Sequence, residues 1–293
     1  MLRNSFSAKV LLFGEYTILN GSRALALPLH RYSGSWSFSS HDQVRKEESR
    51  LSLEKFIQSE AAKKLNLKKL QDDFAQGLWF DSTIPQGFGL GSSGAVVAAL
   101  YQEYGEPKFK LDEDREILAK LESFFHGTSS GLDPLVSHIN TPLHIQSVEK
   151  VDCLYHALNL EGFFLVNTFK PRKTGPLVTL YKEKQKDPNF SRGCSDILMK
   201  EVNFAIDCVL TKSSQNLTHH LWHISKFQWD FFNEMIPEKE KKIWELGLET
   251  GDYVLKLCGA GGGGFLLGHS DKLSIIELKE KFTEHEVFKL SES

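Results

Sequence analysis

Two glycine blocks limit most strongly how this chain can fold. Gly89-Leu90-Gly91-Ser92-Ser93-Gly94 and Gly259-Ala260-Gly261-Gly262-Gly263-Gly264 both fit the spacing GxGxxG. Glycine loses more freedom than any other residue when ordered in a helix or strand, so both blocks read as loops between regular elements. The spacing alone does not define a dinucleotide site, which needs a strand, then glycines opening a helix, then an acid about 20 residues on. The second block runs into strand-like Phe265-Leu266-Leu267, and the first follows Pro85 and Gly87 rather than an uninterrupted apolar strand. Neither continues into Gly-Lys-Ser/Thr, so a Walker A loop is absent too.

The first block still suits phosphate. Gly87, Gly89 and Gly91 let the backbone approach a ligand, and an apolar segment, residues 95–101, follows as a buried helix. A helix start carries unpaired N–H donors and positive dipole, which favour an anion. Ser92 and Ser93 add hydroxyls able to meet phosphate oxygens or Mg²⁺. The structural alternative is a turn with a capping serine.

Elsewhere, strands are expected over residues 8–13, 33–38, 78–80, 142–145, 163–166, 253–257 and 265–267. Helical spacing marks 51–69, 111–125, 176–185, 195–210, 217–233, 238–249 and 273–282, and the charged stretch 41–50 reads as a solvated loop. This irregular alternation predicts an α+β fold rather than a regular βαβ winding. At 293 residues the chain has room for two domains, placed at 1–158 and 159–293.

Balanced charge, 35 Lys+Arg against 38 Asp+Glu, gives no reason to expect a nucleic-acid or membrane-surface partner. No apolar run reaches the roughly 18 residues of a membrane span, and the N-terminal run at 10–13 is too short for a secretory signal. Cys153, Cys194, Cys208 and Cys258 form no CxxC pair and read as reduced thiols, consistent with a cytoplasmic setting.

Three segments resemble the GHMP small-molecule kinases. Ser7-Ala8-Lys9-Val10-Leu11-Leu12-Phe13-Gly14-Glu15-Tyr16 is similar to their first motif. Pro85-Gln86-Gly87-Phe88-Gly89-Leu90-Gly91-Ser92-Ser93 is similar to their phosphate-binding motif, and Lys256 to Gly264 to their third. Within that family the likeness runs to the mevalonate kinase branch, through Lys-Leu-x-Gly-Ala-Gly-Gly-Gly-Gly and through His126-Gly127-Thr128-Ser129-Ser130-Gly131-Leu132-Asp133.

The resemblance implies a two-domain fold, with an N-terminal domain like domain 2 of ribosomal protein S5 and a ferredoxin-like C-terminal domain. It implies ATP and Mg²⁺ as cofactors and phosphorylation of a small hydroxy acid, mevalonate foremost, with a homodimer left open. By position, Asp133 matches the catalytic aspartate, Lys9 the lysine near the transferred phosphoryl, and Glu122 and Ser93 the metal ligands. Gly87, Gly89, Leu90, Gly91, Ser92, Ser93, Gly259, Ala260 and Gly261 fall where the family holds the nucleotide. Glu15, Tyr16 and Thr174 fall on the acceptor side. Bland alternatives accompany these: Glu122 as a surface acid, Asp133 opening a turn, Lys9 pairing with Glu15.

Departures cluster on the acceptor side. The usual Gly-Glu-His is Gly14-Glu15-Tyr16, as in phosphomevalonate kinases, and the usual Asn-Pro of His-Gly-Asn-Pro-Ser-Gly is Thr128-Ser129. His219, His220 and His223 offer an i, i+4 pair on a helix but no third metal ligand, so packing is the expected role.

Overall fold

The structure is a computed structural model that describes residues 5–108, 110–147, 149–213 and 216–292. β1 (Phe6–Phe13) is buried along almost its whole length, including the polar side chains of Ser7 and Lys9. β2 (Ala24–Ser37) follows. The charged stretch expected as a loop is instead the first half of α1 (Gln43–Ile57). The Asp42 side chain caps this helix by accepting from the Arg45 N–H at 3.0 Å, and only Leu53 and Phe56 are buried. A helix half that faces solvent carries no apolar stripe, so periodicity missed it.

The helix expected through residue 69 stops at Ile57; a 3₁₀ turn, Ala61–Lys64, separates it from α2 (Leu67–Ala75). Then come β3 (Trp79–Ser82), α3 (Ser92–Tyr104) and α4 (Leu111–His126). α5 (Leu132–Ile139) was not expected. Pro134 falls in its first turn, where a missing N–H costs nothing.

The chain divides into two compact units, of which the first comprises Met1–Lys9, Pro28–Pro85 and Leu90–Thr141. There β2 pairs antiparallel with β3, setting Trp36 opposite Phe80. The Trp36 ring packs edge-on against Phe80 and Tyr104, with centroids at 5.2 and 6.0 Å. Such pairs add about 0.5–1.5 kcal/mol beyond area burial.

The second unit comprises Val10–Leu27, Gln86–Gly89 and Pro142–Ser293. It holds β4 (Leu143–Ile145), β5 (Val151–Cys153) and the fully buried β6 (Phe163–Asn167). α6 (Thr174–Lys184), α7 (Pro188–Gly193) and α8 (Met199–Leu210) follow, the last two joined by a π-helical turn at Cys194–Leu198. Next are α9 (Leu217–Phe231), α10 (Glu238–Thr250), β7 (Val254–Leu257), β8 (Phe265–His269), α11 (Ile275–Lys281) and β9 (Glu286–Lys289).

One sheet has the order β1-β2-β4-β5 with β3 on β2; the other is β7-β8-β6-β9. The registers of the second sheet are all antiparallel. With helices between β6 and β7 and α11 between β8 and β9, this is the split βαβ ferredoxin-like arrangement. Mixed helices and sheets make the fold α+β, as expected. No helix among the described residues is long and apolar enough to cross a membrane.

Candidate functional site

The first unit gathers four of the expected residues. Lys9 Nζ lies 3.0 Å from Asp133 Oδ1; Lys9 therefore pairs with Asp133 and not with Glu15. The Lys9 N–H donates to the Leu90 carbonyl at 2.9 Å, tying β1 to the start of α3. Gly91 caps α3 with φ 70°, and a Cβ there would come within 2.8 Å of Lys9 Cγ. Glycine is thus demanded by both backbone and lysine. One turn on, a Cβ at Gly94 would meet the backbone of Asp133 and Pro134 at 2.9 Å. Its absence lets the first turn of α5, and Asp133 with it, settle on α3. Asp133 is in the first turn of this helix rather than in a bare turn.

Beside this pair, Ser93 Oγ donates to Glu122 Oε1 at 3.2 Å and lies 2.8 Å from His126 Nε2. Ser129 Oγ donates to the other carboxylate oxygen, Glu122 Oε2, and accepts from the Gly131 N–H at 2.9 Å. Glu122 is not a surface acid: it is 5 % exposed. Burial first, then the negative charge of Asp133, push its carboxyl up to about 7, against the opposing influence of Ser129, Lys9 and Ser93. Ser92 is the half-buried first residue of α3.

Among the described residues no group of three or more His, Cys, Asp or Glu could hold a metal. The Ser93 hydroxyl and Glu122 carboxylate nonetheless suit Mg²⁺, which takes one or two hard protein oxygens and completes its shell with phosphates and water. The histidines of α9 serve packing instead: His220 Nδ1 is 2.7 Å from Glu201 Oε2, its ring stacks on Phe204, and His219 packs edge-on against His223.

The second unit holds the acceptor-side candidates. Glu15 is buried and bonded to Lys256 Nζ, which also donates to the carbonyls of Leu12 at 3.0 Å and Leu257 at 2.8 Å. Burial raises the Glu15 carboxyl above its ordinary range, and Lys256 opposes that rise. Tyr16 has φ 63° and ψ −42°, a conformation that strains a tyrosine. Its ring stacks on Tyr181 at 4.6 Å, and its hydroxyl donates to the Ala260 carbonyl at 2.6 Å. Burial lifts that phenol well above the usual tyrosine range.

Arg172 links the two glycine blocks. Its N–H donates to the Gly87 carbonyl at 2.9 Å, and Nη1 donates to Thr174 Oγ1 at 3.1 Å. A Cβ at Gly89 or Gly259 would lie 2.2 or 2.6 Å from Arg172 Nη2. Gly261 closes the same loop, where a Cβ would meet the Met235 carbonyl at 2.5 Å. Sequence reasoning missed Arg172, Lys256, Ser129 and His126 as individual site residues. Lys256, His126 and Ser129 lie within the segments that carry the resemblance, but no role of their own was assigned to them there.

Residues 56–138 match the family model described as "GHMP kinases N terminal domain". Those residues carry the GHMP kinase N-terminal domain, and this match together with the curated relatives supports a small-molecule kinase that uses ATP. Within that family the likeness is to mevalonate kinase. The mevalonate kinase of Archaeoglobus fulgidus is 26 % identical over 276 residues, covering 90 % of each chain. Mevalonate kinase of L. major, solved with R-mevalonate, superposes with a TM-score of 0.68 at 17 % identity, covering 98 % of this chain and 94 % of that one. Streptococcus pneumoniae phosphomevalonate kinase has a TM-score of 0.62 at 17 % identity, covering 97 % of each. At such identities the two structures show the shared fold alone.

Proposed function

We propose that the chain transfers the γ-phosphoryl group of ATP to the hydroxyl of mevalonate, giving 5-phosphomevalonate. The observation that carries this reading is the Lys9–Asp133 pair at 3.0 Å beside the hydroxyl–carboxylate pair of Ser93 and Glu122. Phosphoryl transfer needs mainly positioning and charge neutralisation. The start of α3 presents N–H groups and serine hydroxyls to the nucleotide phosphates. Lys9 offsets charge on the transferred group, and Asp133, only half-buried, orients the acceptor hydroxyl and takes its proton. Ser93 and Glu122 would hold Mg²⁺, which supplies further charge neutralisation on the phosphates when bound.

Mevalonate is favoured by the names of the relatives. Phosphomevalonate is the second reading, favoured by Tyr16 in place of histidine and by its hydroxyl being committed to Ala260. The test is ADP release with ATP, Mg²⁺ and mevalonate, run alongside Asp133→Asn. Turnover that falls about 10²–10⁴-fold in the variant is expected. ADP release only with phosphomevalonate would move the acceptor. Nucleotide binding without turnover on any acceptor would make the chain a ligand sensor.

A further inference from the structure

The residue at position 129 departs from the motif that the surrounding segment resembles. Where that motif reads Asn-Pro, this chain has Thr128-Ser129. A proline side chain can donate no hydrogen bond; Ser129 donates one to Glu122 Oε2. The serine is itself held, because its Oγ accepts from the Gly131 N–H at 2.9 Å. Gly131 caps α5, the helix that carries Asp133. One short loop therefore touches the buried carboxylate at one end and positions the aspartate at the other.

We propose that Ser129 is a positioning residue that locks the Glu122 carboxylate, so that Oε1 stays beside Ser93 Oγ and the two oxygens are presented together to a divalent cation. This rests on the reading of Ser93 and Glu122 as metal ligands. A glutamate on a helix has three rotatable side-chain bonds, and cation binding would otherwise have to select one arrangement among several. With Oε2 engaged by Ser129 and Oε1 within 3.2 Å of Ser93 Oγ, that selection is made before the cation arrives. His126 does the same from the other side, with Nε2 2.8 Å from Ser93 Oγ.

A purely structural role, capping α5, would lower stability but leave cation affinity alone. The readout is therefore the ratio between ADP affinity with Mg²⁺ and ADP affinity without it, measured by titration calorimetry with thermal melting on each sample. Ser129→Ala is expected to reduce this ratio by about 10-fold or more, the worth of a hydrogen bond to a charged group. Its affinity for metal-free ADP should stay within about 2-fold of the parent, and Ser129→Thr, which keeps the donor, should restore the ratio. Should Ser129→Ala fail to fold, Ser129→Cys, a weaker donor of similar shape, should give a partial loss.

Glu122→Gln separates the two levels of the argument. If it collapses the ratio while Ser129→Ala leaves it intact, Ser129 is only a cap and this inference is wrong. If Glu122→Gln also leaves the ratio intact, Glu122 is not a cation ligand, and the reading beneath fails together with the inference.

Discussion

Lys256 and Glu15 show how much a single buried pair can demand. Lys256 is 2 % exposed and Glu15 4 %, and all three ammonium donors are used, one on the carboxylate and two on carbonyls. Such a pair is held by complete satisfaction rather than by net attraction, because desolvating both charges offsets most of the Coulomb gain. Removing one member exposes the full penalty of the other. Lys256→Met should therefore destabilise by roughly 3–5 kcal/mol, since Glu15 is left buried without its counter-charge. Urea and thermal unfolding at neutral pH measure this, and the double variant with Glu15→Gln should recover much of the loss. A single variant within about 1 kcal/mol of the parent would show that the pair carries little. The pair also fixes the chain just before Tyr16, whose strained backbone is held by the stack on Tyr181 and the bond to Ala260. In this arrangement Glu15 acts through where it puts its neighbour Tyr16.

At the scale of elements, the helix pair α3 and α5 decides where Asp133 stands. The two helices approach so closely that a Cβ on Gly94 would sit 2.9 Å from the α5 backbone. Gly94→Ala should push the helices apart, costing about 1–3 kcal/mol of overpacking, and a shift near 1 Å at Asp133 should lower kcat on the order of 100-fold. Unchanged kcat, measured by ADP release on folded protein, would mean that α5 is positioned from elsewhere. This contact also shows what could be read from the chain beforehand. That Lys9, Ser93, Glu122 and Asp133 lie together was legible only through the family resemblance, whose motifs are local in sequence although they fall far apart along the chain. α3 and α4 were legible from their apolar spacing. The first half of α1 was not, because its stability comes from the Asp42 cap and from solvent-facing helix formers. β5 and β9, of 3 and 4 residues, were too short for alternation to register. Long-range partners were not readable at all: nothing near position 15 announces Lys256, 241 residues on.

For the whole molecule, the response to acid should carry the mark of one histidine in the second unit. His269 ends β8, opposite both Val254 and Phe163 in the sheet, and its ring packs edge-on against Phe163 with centroids 4.9 Å apart. It is 5 % exposed. Burial lowers its pKa from 6.5 to about 4, outweighing the opposing influence of the Asp271 charge and the Glu161 backbone. Below about 6.5 the unfolded ring takes up a proton that the folded ring refuses until about 4. In that window the unfolded state binds more protons, so stability falls as pH falls, by about 3 kcal/mol across the full interval. Glu122 titrates in the opposite sense: its raised pKa makes the folded state the better proton binder between about 4.5 and about 7. The total pH profile therefore mixes both terms, and only a difference isolates the histidine. Urea unfolding of the parent and His269→Gln at several pH values between 7 and 4.5 supplies it. The parent should lose stability relative to the variant steadily on acidification. A constant difference across that range would place the ring's proton equilibrium outside the folding transition and remove His269 as a source of acid sensitivity.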